Sequence, residues 1–245
     1  MNRAYWLRRG ELIEGALDGF FPFLAERGHV IALVGAGGKT TLMYELARLL
    51  CARGQKVAVT TTTRILRPKH CEPCRALDEC RERWARGAYA VWGSDLGNGK
   101  LGALDAADFD RLLAHADALL VEADGARRMA CKAPAAHEPV IPPEADTVIG
   151  VMGLDALGQT IEAACFRPEE VAALLGRDIK HILTPADLAA ILRSEDGTFK
   201  DVGKRTYYAA LNKCDDDARR DQGAQILRLL GDGAVMTHFA KEFQR

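Results

Sequence analysis

Residues 35 to 41 read Gly-Ala-Gly-Gly-Lys-Thr-Thr, set between the apolar run His29 to Val34 and a helical pattern from Thr40 to Arg53. Strand, glycine turn and helix in that order suit a bound phosphate. The N–H groups of Gly35, Ala36, Gly37 and Gly38 can turn inward around phosphate oxygens, and the helix start at Thr40 and Thr41 adds the positive end of its dipole. Lys39 can reach the β- and γ-phosphates, and Thr40 can ligate magnesium. A standard loop of this kind places its first glycine at position 33, which here is Leu33. The loop is therefore the short form Gly-x-x-Gly-Lys-Thr. A glycine turn that merely caps a helix is the bland alternative, but Gly-Lys-Thr-Thr adds phosphate-suited side chains to the turn.

A second group lies at Leu119-Leu120-Val121-Glu122-Ala123-Asp124-Gly125, an apolar strand that ends in two carboxylates and a glycine. Period-two geometry puts Glu122 and Asp124 on one face, where one could hold a metal and the other handle a proton. The sequence leaves open which does which. An ordinary exposed strand end would not need so uniformly apolar an approach. Downstream, Lys132-Ala133-Pro134 and His137-Glu138-Pro139-Val140-Ile141-Pro142 form a stiff, non-helical segment. It could aim Lys132, His137 and Glu138 at the same crevice, or be a loop with polar ends. The four threonines Thr60 to Thr63 close another strand, which makes Thr62 or Thr63 a candidate sensor of the γ-phosphate.

Strand Tyr207 to Leu211 runs into Asn212-Lys213-Cys214-Asp215. An Asn-Lys-x-Asp element reads guanine when the Asp accepts from the base N1–H and amine while the Lys stem covers the ring. The run Asp215 to Asp217 equally fits a helix N-cap. Cys71, Cys74 and Cys80, with His70 and a distant Cys131, have partial zinc-ligand spacing, yet a second close pair is lacking. Unremarkable thiols are the better reading.

The elements that must position these groups follow from periodicity. Apolar β-branched runs alternate with helical patterns, which predicts an α/β fold with a P-loop NTPase-like, mainly parallel sheet flanked by helices. Strands are expected at residues 29–34, 56–60, 88–92, 118–123, 147–152, 207–211 and 234–237. Leu12, Ile13, Ala16, Leu17 and Phe20 recur at helical spacing and predict an N-terminal helix. Residues 64–87, broken by Pro68 and Pro73, read as an inserted loop or small lid, and residues 94–102 as a turn or flexible connection. The expected organisation is a single domain over 1–245 with a sub-boundary near residue 155.

The chain has 245 residues and 33 basic against 34 acidic side chains, which gives nucleic-acid binding no obvious electrostatic source. No apolar run nears the roughly 20 residues a membrane helix needs, and Met1 to Arg9 lacks a signal-peptide core. A cytoplasmic protein with reduced thiols is expected, its odd count of seven cysteines arguing against a disulfide framework. A homodimer is left open.

Taken together, these motifs resemble the YqeC family of accessory proteins for selenium-dependent hydroxylases. The resemblance rests on Val34-Gly-Ala-Gly-Gly-Lys-Thr-Thr41, Thr60-Thr-Thr-Thr-Arg64 and Val121-Glu-Ala-Asp-Gly125. It extends through Lys132-Ala-Pro134, His137-Glu-Pro-Val-Ile-Pro142, Val148 to Gly158, Phe166-Arg167 and Asn212 to Asp215. It implies a P-loop protein associated with maturation of selenium-dependent molybdenum hydroxylases, with the hydroxylase or its cofactor-maturation proteins as partners. On this reading Thr40 with Asp124 or Glu122 holds Mg2+, the nucleoside triphosphate is GTP in preference to ATP, and turnover is slow. The short loop is also similar to that of Mur-type ligases, so an ATP-dependent ligase or kinase is the alternative. A scaffold that binds nucleotide without hydrolysing it is a third. Arg167 is expected in a surface ion pair, with a cis arginine finger as the less common fate.

Overall fold

Apolar runs without alternation need cover on both faces, and here they form the middle of one sheet. The computed structural model describes residues 2–67, 71–97 and 99–240. In chain order they make β1 (Arg3–Arg8), β2 (Glu11–Gly15), β3 (His29–Gly35), α1 (Lys39–Ala52), β4 (Val57–Thr61), β5 (Arg64–Leu66) and α2 (Leu77–Ala85). Then come β6 (Ala90–Val91), β7 (Ser94–Asp95), β8 (Lys100–Gly102), α3 (Ala106–His115), β9 (Ala118–Glu122), β10 (Cys131–Lys132) and β11 (Thr147–Gly153). The chain continues through α4 (Ile161–Ala164), β12 (Cys165–Phe166), α5 (Pro168–Leu175), α6 (Pro185–Arg193), β13 (Thr206–Asn212), α7 (Asp217–Leu230) and β14 (Ala234–His238).

Among the described residues the main sheet runs β2-β1-β14-β13-β11-β3-β9-β4-β6. Every pairing from β14 to β6 is parallel, and only the β1–β2 hairpin joins antiparallel, on β14. This is the expected α/β, P-loop NTPase-like architecture. Along β3, Ile31 and Leu33 enter the cluster formed with Leu42, Leu46 and Leu50 of α1, while Val30, Ala32 and Val34 enter the one formed with Leu112 of α3. Each such side chain, taken wholly out of water, stabilises the fold by roughly 1.5–3 kcal/mol.

The topology also fixes where a ligand can sit. From β3 the chain passes through α1 to β4, which lies beyond β9 on one side, while β11 flanks β3 on the other. The carboxyl ends of β9, β3 and β11 therefore meet at a switch in strand order, the place where open α/β sheets form their ligand crevice. Residue 155 falls just after β11, and β13 and β14 beyond it pair in the same sheet.

Three local expectations are corrected. The N-terminal helix is instead the β1–β2 hairpin, turned at Arg9 (φ 55°) and Gly10 (φ 83°), followed by a short turn at Leu17–Gly19. Trp6 lies over Gly15, and of the apolar residues read as a helical stripe Leu12 and Ile13 belong to this edge hairpin, while Leu17 and Phe20 follow it and pack on the core. The segment 64–87 is not one irregular loop: it carries β5 and α2, and Trp84 of α2 donates its indole N–H to Val57 O at 2.8 Å. Residues 94–102 contain β7 and β8, which pair with each other, and β8 pairs on its other side with β5. Pro68 lies outside the described residues. No helix among those described is long and apolar enough to cross a membrane.

Candidate active site at the carboxyl ends of β3, β9 and β11

Leu33 cannot be a loop glycine because it is still inside β3, fully buried and paired with Glu122 and Ile149. The turn begins only at Gly35, where φ becomes +95°; Gly37 and Gly38 follow at +69° and +109°. These values and the packing both require glycine. A Cβ on Gly37 would lie 1.9 Å from the Gly153 nitrogen, and one on Gly35 would lie 2.4 Å from Val151 O. The loop is thus seated on the end of β11. The Ala36 N–H donates to Val151 O (2.8 Å), the Gly37 N–H to Met129 O (2.9 Å), and the Gly35 N–H to the Asp124 carboxylate (2.9 Å). Lys39, Thr40 and Thr41 then form the first turn of α1, whose N–H groups have no carbonyl one turn earlier to bond.

Lys39 is buried and does not point to solvent. Its ammonium donates to Gly35 O (2.6 Å) and lies 3.0 Å from Asp124 and 3.7 Å from Glu122. Burial by itself would lower the Lys39 pKa, but the Asp124 and Glu122 charges outweigh it and hold the pKa above its ordinary value. Burial raises the Glu122 carboxyl, and Lys39 and Thr40 offset only part of that. The Thr40 hydroxyl donates to Glu122 Oε2 at 2.7 Å.

The charges continue beyond the loop. Lys132, fully buried, lies 3.0 Å from Asp124 and 2.6 Å from Glu138, and it also donates to Gly125 O. Glu138 takes a two-pronged contact from Arg167. Burial would raise the Glu138 pKa, yet Arg167 and Lys132 hold it down to about 2. Lys39, Asp124, Lys132, Glu138 and Arg167 thus form one chain of alternating charge.

The profile of the family described as YqeC protein matches residues 31–169, and those residues hold the whole charge chain. The chain belongs to the YqeC family. A curated relative, the uncharacterized protein YqeC of Escherichia coli (strain K12), is 36% identical over 185 residues, or 72% of either chain.

Asn212, Lys213 and Asp215 lie outside the part matched by the YqeC profile, but the fold brings Asn212 to the loop. Its amide donates to Gly37 O (3.1 Å), and its carbonyl accepts from the Thr237 hydroxyl of β14 (2.5 Å). Lys213, with φ 65°, pairs with Asp155 at 2.6 Å. Asp215 accepts from His238 (2.8 Å), while the cap of α7 is Asp216, whose carboxylate accepts the Arg219 N–H. The helix-cap role therefore belongs to the neighbour of Asp215. The Thr61 hydroxyl donates to Glu122 O, that of Thr62 to Val140 O, and Thr63 contacts Thr61, so the threonine run ties β4 to this same edge.

Three sequence expectations for this YqeC-family site are corrected. The Gly35, Ala36 and Gly37 N–H groups do not face an open phosphate cradle, because Asp124, Val151 O and Met129 O already accept them. His137 is exposed and its side chain makes no hydrogen bond among the described residues; its neighbour Glu138 turns inward instead. Arg167 is no surface pair, because its partner Glu138 is buried. The Phe166-Arg167 pair was visible in sequence, but nothing local says that it meets residue 138. The cysteines divide. Cys74 and Cys80 act on each other, which lowers the Cys74 pKa and raises that of Cys80, whereas Cys131 faces Cys165 across β10 and β12. Among the described residues no three His, Cys, Asp or Glu side chains form a metal-ligand set, and His70 lies outside them.

Proposed function

We propose that this chain is a P-loop nucleoside triphosphate-binding protein and a slow nucleoside triphosphatase, with GTP favoured, serving the maturation of a selenium-dependent molybdenum hydroxylase. One observation carries the nucleotide reading: Lys39, directly after the glycine turn, is held between Glu122 and Asp124 while Thr40 reaches Glu122. A turn that only capped a helix would have no use for a buried lysine opposed by two carboxylates from another strand. Support for the accessory role is the family resemblance in the motifs.

The donor set fits Mg2+, which takes hard oxygen ligands, commonly one or two carboxylates, and completes its shell with phosphates and water. Thr40, Glu122 and Asp124 would hold it, and it would supply positive charge to the phosphate oxygens. Lys39 would leave its carboxylates for the β- and γ-phosphates as these enter the turn. Asp124, fixed by the Gly35 N–H and Lys132, keeps the loop in register with β9 while Lys39 moves. Thr62 or Thr63 would sense the γ-phosphate from the end of β4. Asp215, oriented by His238, would accept from guanine, with the Lys213 stem along the ring and Asn212 tying this element to Gly37.

Calorimetric titration with GTP, ATP and CTP, with and without magnesium, tests the reading. The expected result is magnesium-dependent binding with GTP preferred, lost in Lys39→Ala protein whose fold is confirmed by circular dichroism, and with the preference erased in Asp215→Asn. No binding of any nucleotide overturns it. Preference for ATP removes Asp215 from base recognition and favours a ligase or kinase.

A further inference from the structure

The loop after Asp124 breaks a local rule. The Met129 N–H bonds to Ala126 O, and both residues between, Arg127 (φ 46°) and Arg128 (φ 65°), have positive φ. A tight turn with two left-handed central residues is ordinarily built from Asn, Asp and Gly. Here two arginines occupy it. Arg167, also at positive φ (60°), stands on the neighbouring segment. Backbone in this region is disfavoured for residues with long side chains, and it persists where the surroundings hold it for a purpose.

Two of these arginines flank one aromatic ring, and Arg128 follows Arg127 in the same turn. The Arg167 guanidinium is 4.5 Å from the Phe166 ring centroid, that of Arg127 is 5.2 Å away, and the Lys132 ammonium 5.8 Å. Lys132 and Arg167 are balanced by Glu138 and Asp124. The side chains of Arg127 and Arg128 make no hydrogen bond or ion pair among the described residues, and both residues are exposed. Arg127 and Arg128 therefore add uncompensated positive charge beside a cluster whose other cations are already paired, which leaves a positive patch facing solvent. The cluster also touches the phosphate loop directly, since Met129 O accepts the Gly37 N–H.

We propose that Arg127 and Arg167, which flank Phe166, together with Arg128 of the same turn, bind a phosphate group of a second ligand beside the nucleotide. The planar guanidinium forks suit phosphate oxygens, and the ring holds two of them in place without consuming all of their donors. Asp124, shared between Lys39 and Lys132, links this site to the loop. The site extends the nucleotide reading but does not need it.

Titration of inorganic phosphate tests the site. The proteins are wild type, Lys39→Ala, the pair Arg127→Gly with Arg128→Gly, and a distal charge control, Arg8→Ser with Arg9→Gly. Glycine accepts positive φ, so the arginine-loop variant is expected to fold; Thr40→Ala replaces Lys39→Ala if that protein does not. The expected result is phosphate binding in wild type, Lys39→Ala and the distal control alike. It should weaken at least tenfold in the arginine-loop variant, whose nucleotide affinity stays at the wild-type value. Four results overturn the proposal: no phosphate binding by wild type, binding lost only with Lys39, equal weakening in the distal control, or a fall in nucleotide affinity in the arginine-loop variant. Arginine-dependent phosphate binding in a protein that binds no nucleotide would instead overturn the triphosphatase reading and leave this site standing.

Discussion

The buried ammonium of Lys132 lies 3.0 Å from the carboxylate of Asp124. Asp124 also faces Lys39 and accepts the Gly35 N–H, so a single side chain is shared between the glycine turn and the Glu138–Arg167 side of the crevice. Whatever displaces Lys39 from Asp124 leaves that carboxylate with Lys132 as its remaining cation. The two halves of the site are therefore electrostatically coupled.

Lys132→Met tests the coupling. It removes the cation between two buried carboxylates, and breaking a buried pair from one side costs about 3–5 kcal/mol. Urea unfolding should show a loss near the lower end, because Asp124 keeps Lys39 and Glu138 keeps Arg167. A loss under 1 kcal/mol would mean that Lys132 contributes little to holding the site.

Acid should expose the role of Glu138. Its carboxyl is held at about 2 in the folded protein, against ~4.3 in an unfolded chain. Between those values the unfolded state binds more protons, so stability is complete above the upper value and declines as pH falls toward the lower. Glu138→Gln should be less stable at neutral pH and should lose part of that decline; an unchanged acid limb would contradict the assignment.

The seat of the loop on β11 predicts a contrast between two glycines. Gly37→Ala forces a Cβ to 1.9 Å from backbone at positive φ, and a cost of about 3 kcal/mol or more is expected. Gly125→Ala, which meets nothing within 4 Å and has no positive φ, should change stability by no more than about 1 kcal/mol. Thermal unfolding of both proteins decides it.

Asn212 bridges Gly37 O and the Thr237 hydroxyl, both of them buried. Asn212→Ala leaves each unpaired, at an expected cost of about 2–3 kcal/mol. Thr237→Val alone should cost less, and the double variant should fall short of the sum. Strict additivity in the cycle would deny the bridge.

How much was legible in the sequence depended on range. The runs that became β3, β4, β9, β11, β13 and β14 are apolar on both faces, and that character by itself marks a central parallel strand. The hairpin at residues 3–15 was misread because Leu12, Ile13, Ala16 and Leu17 fit helical spacing, while its pairing partner β14 lies at the other end of the chain. Gly10 was the available signal for the turn.

By itself the sequence determined the glycine turn, the helix behind it, the strand-end carboxylates and the alternation that builds the sheet, because each is encoded within about one turn or strand of local chain. Only the tertiary structure decided that Glu138 rather than His137 faces inward, that Arg167 is its partner, and that Arg127 and Arg167 share the Phe166 ring. Local spacing cannot hold that information. Opposite charges are brought into one crevice where the carboxyl ends of β3, β9 and β11 lie side by side, and burial there makes their pairing obligatory, since an unpaired charge out of water costs more than the fold can spare.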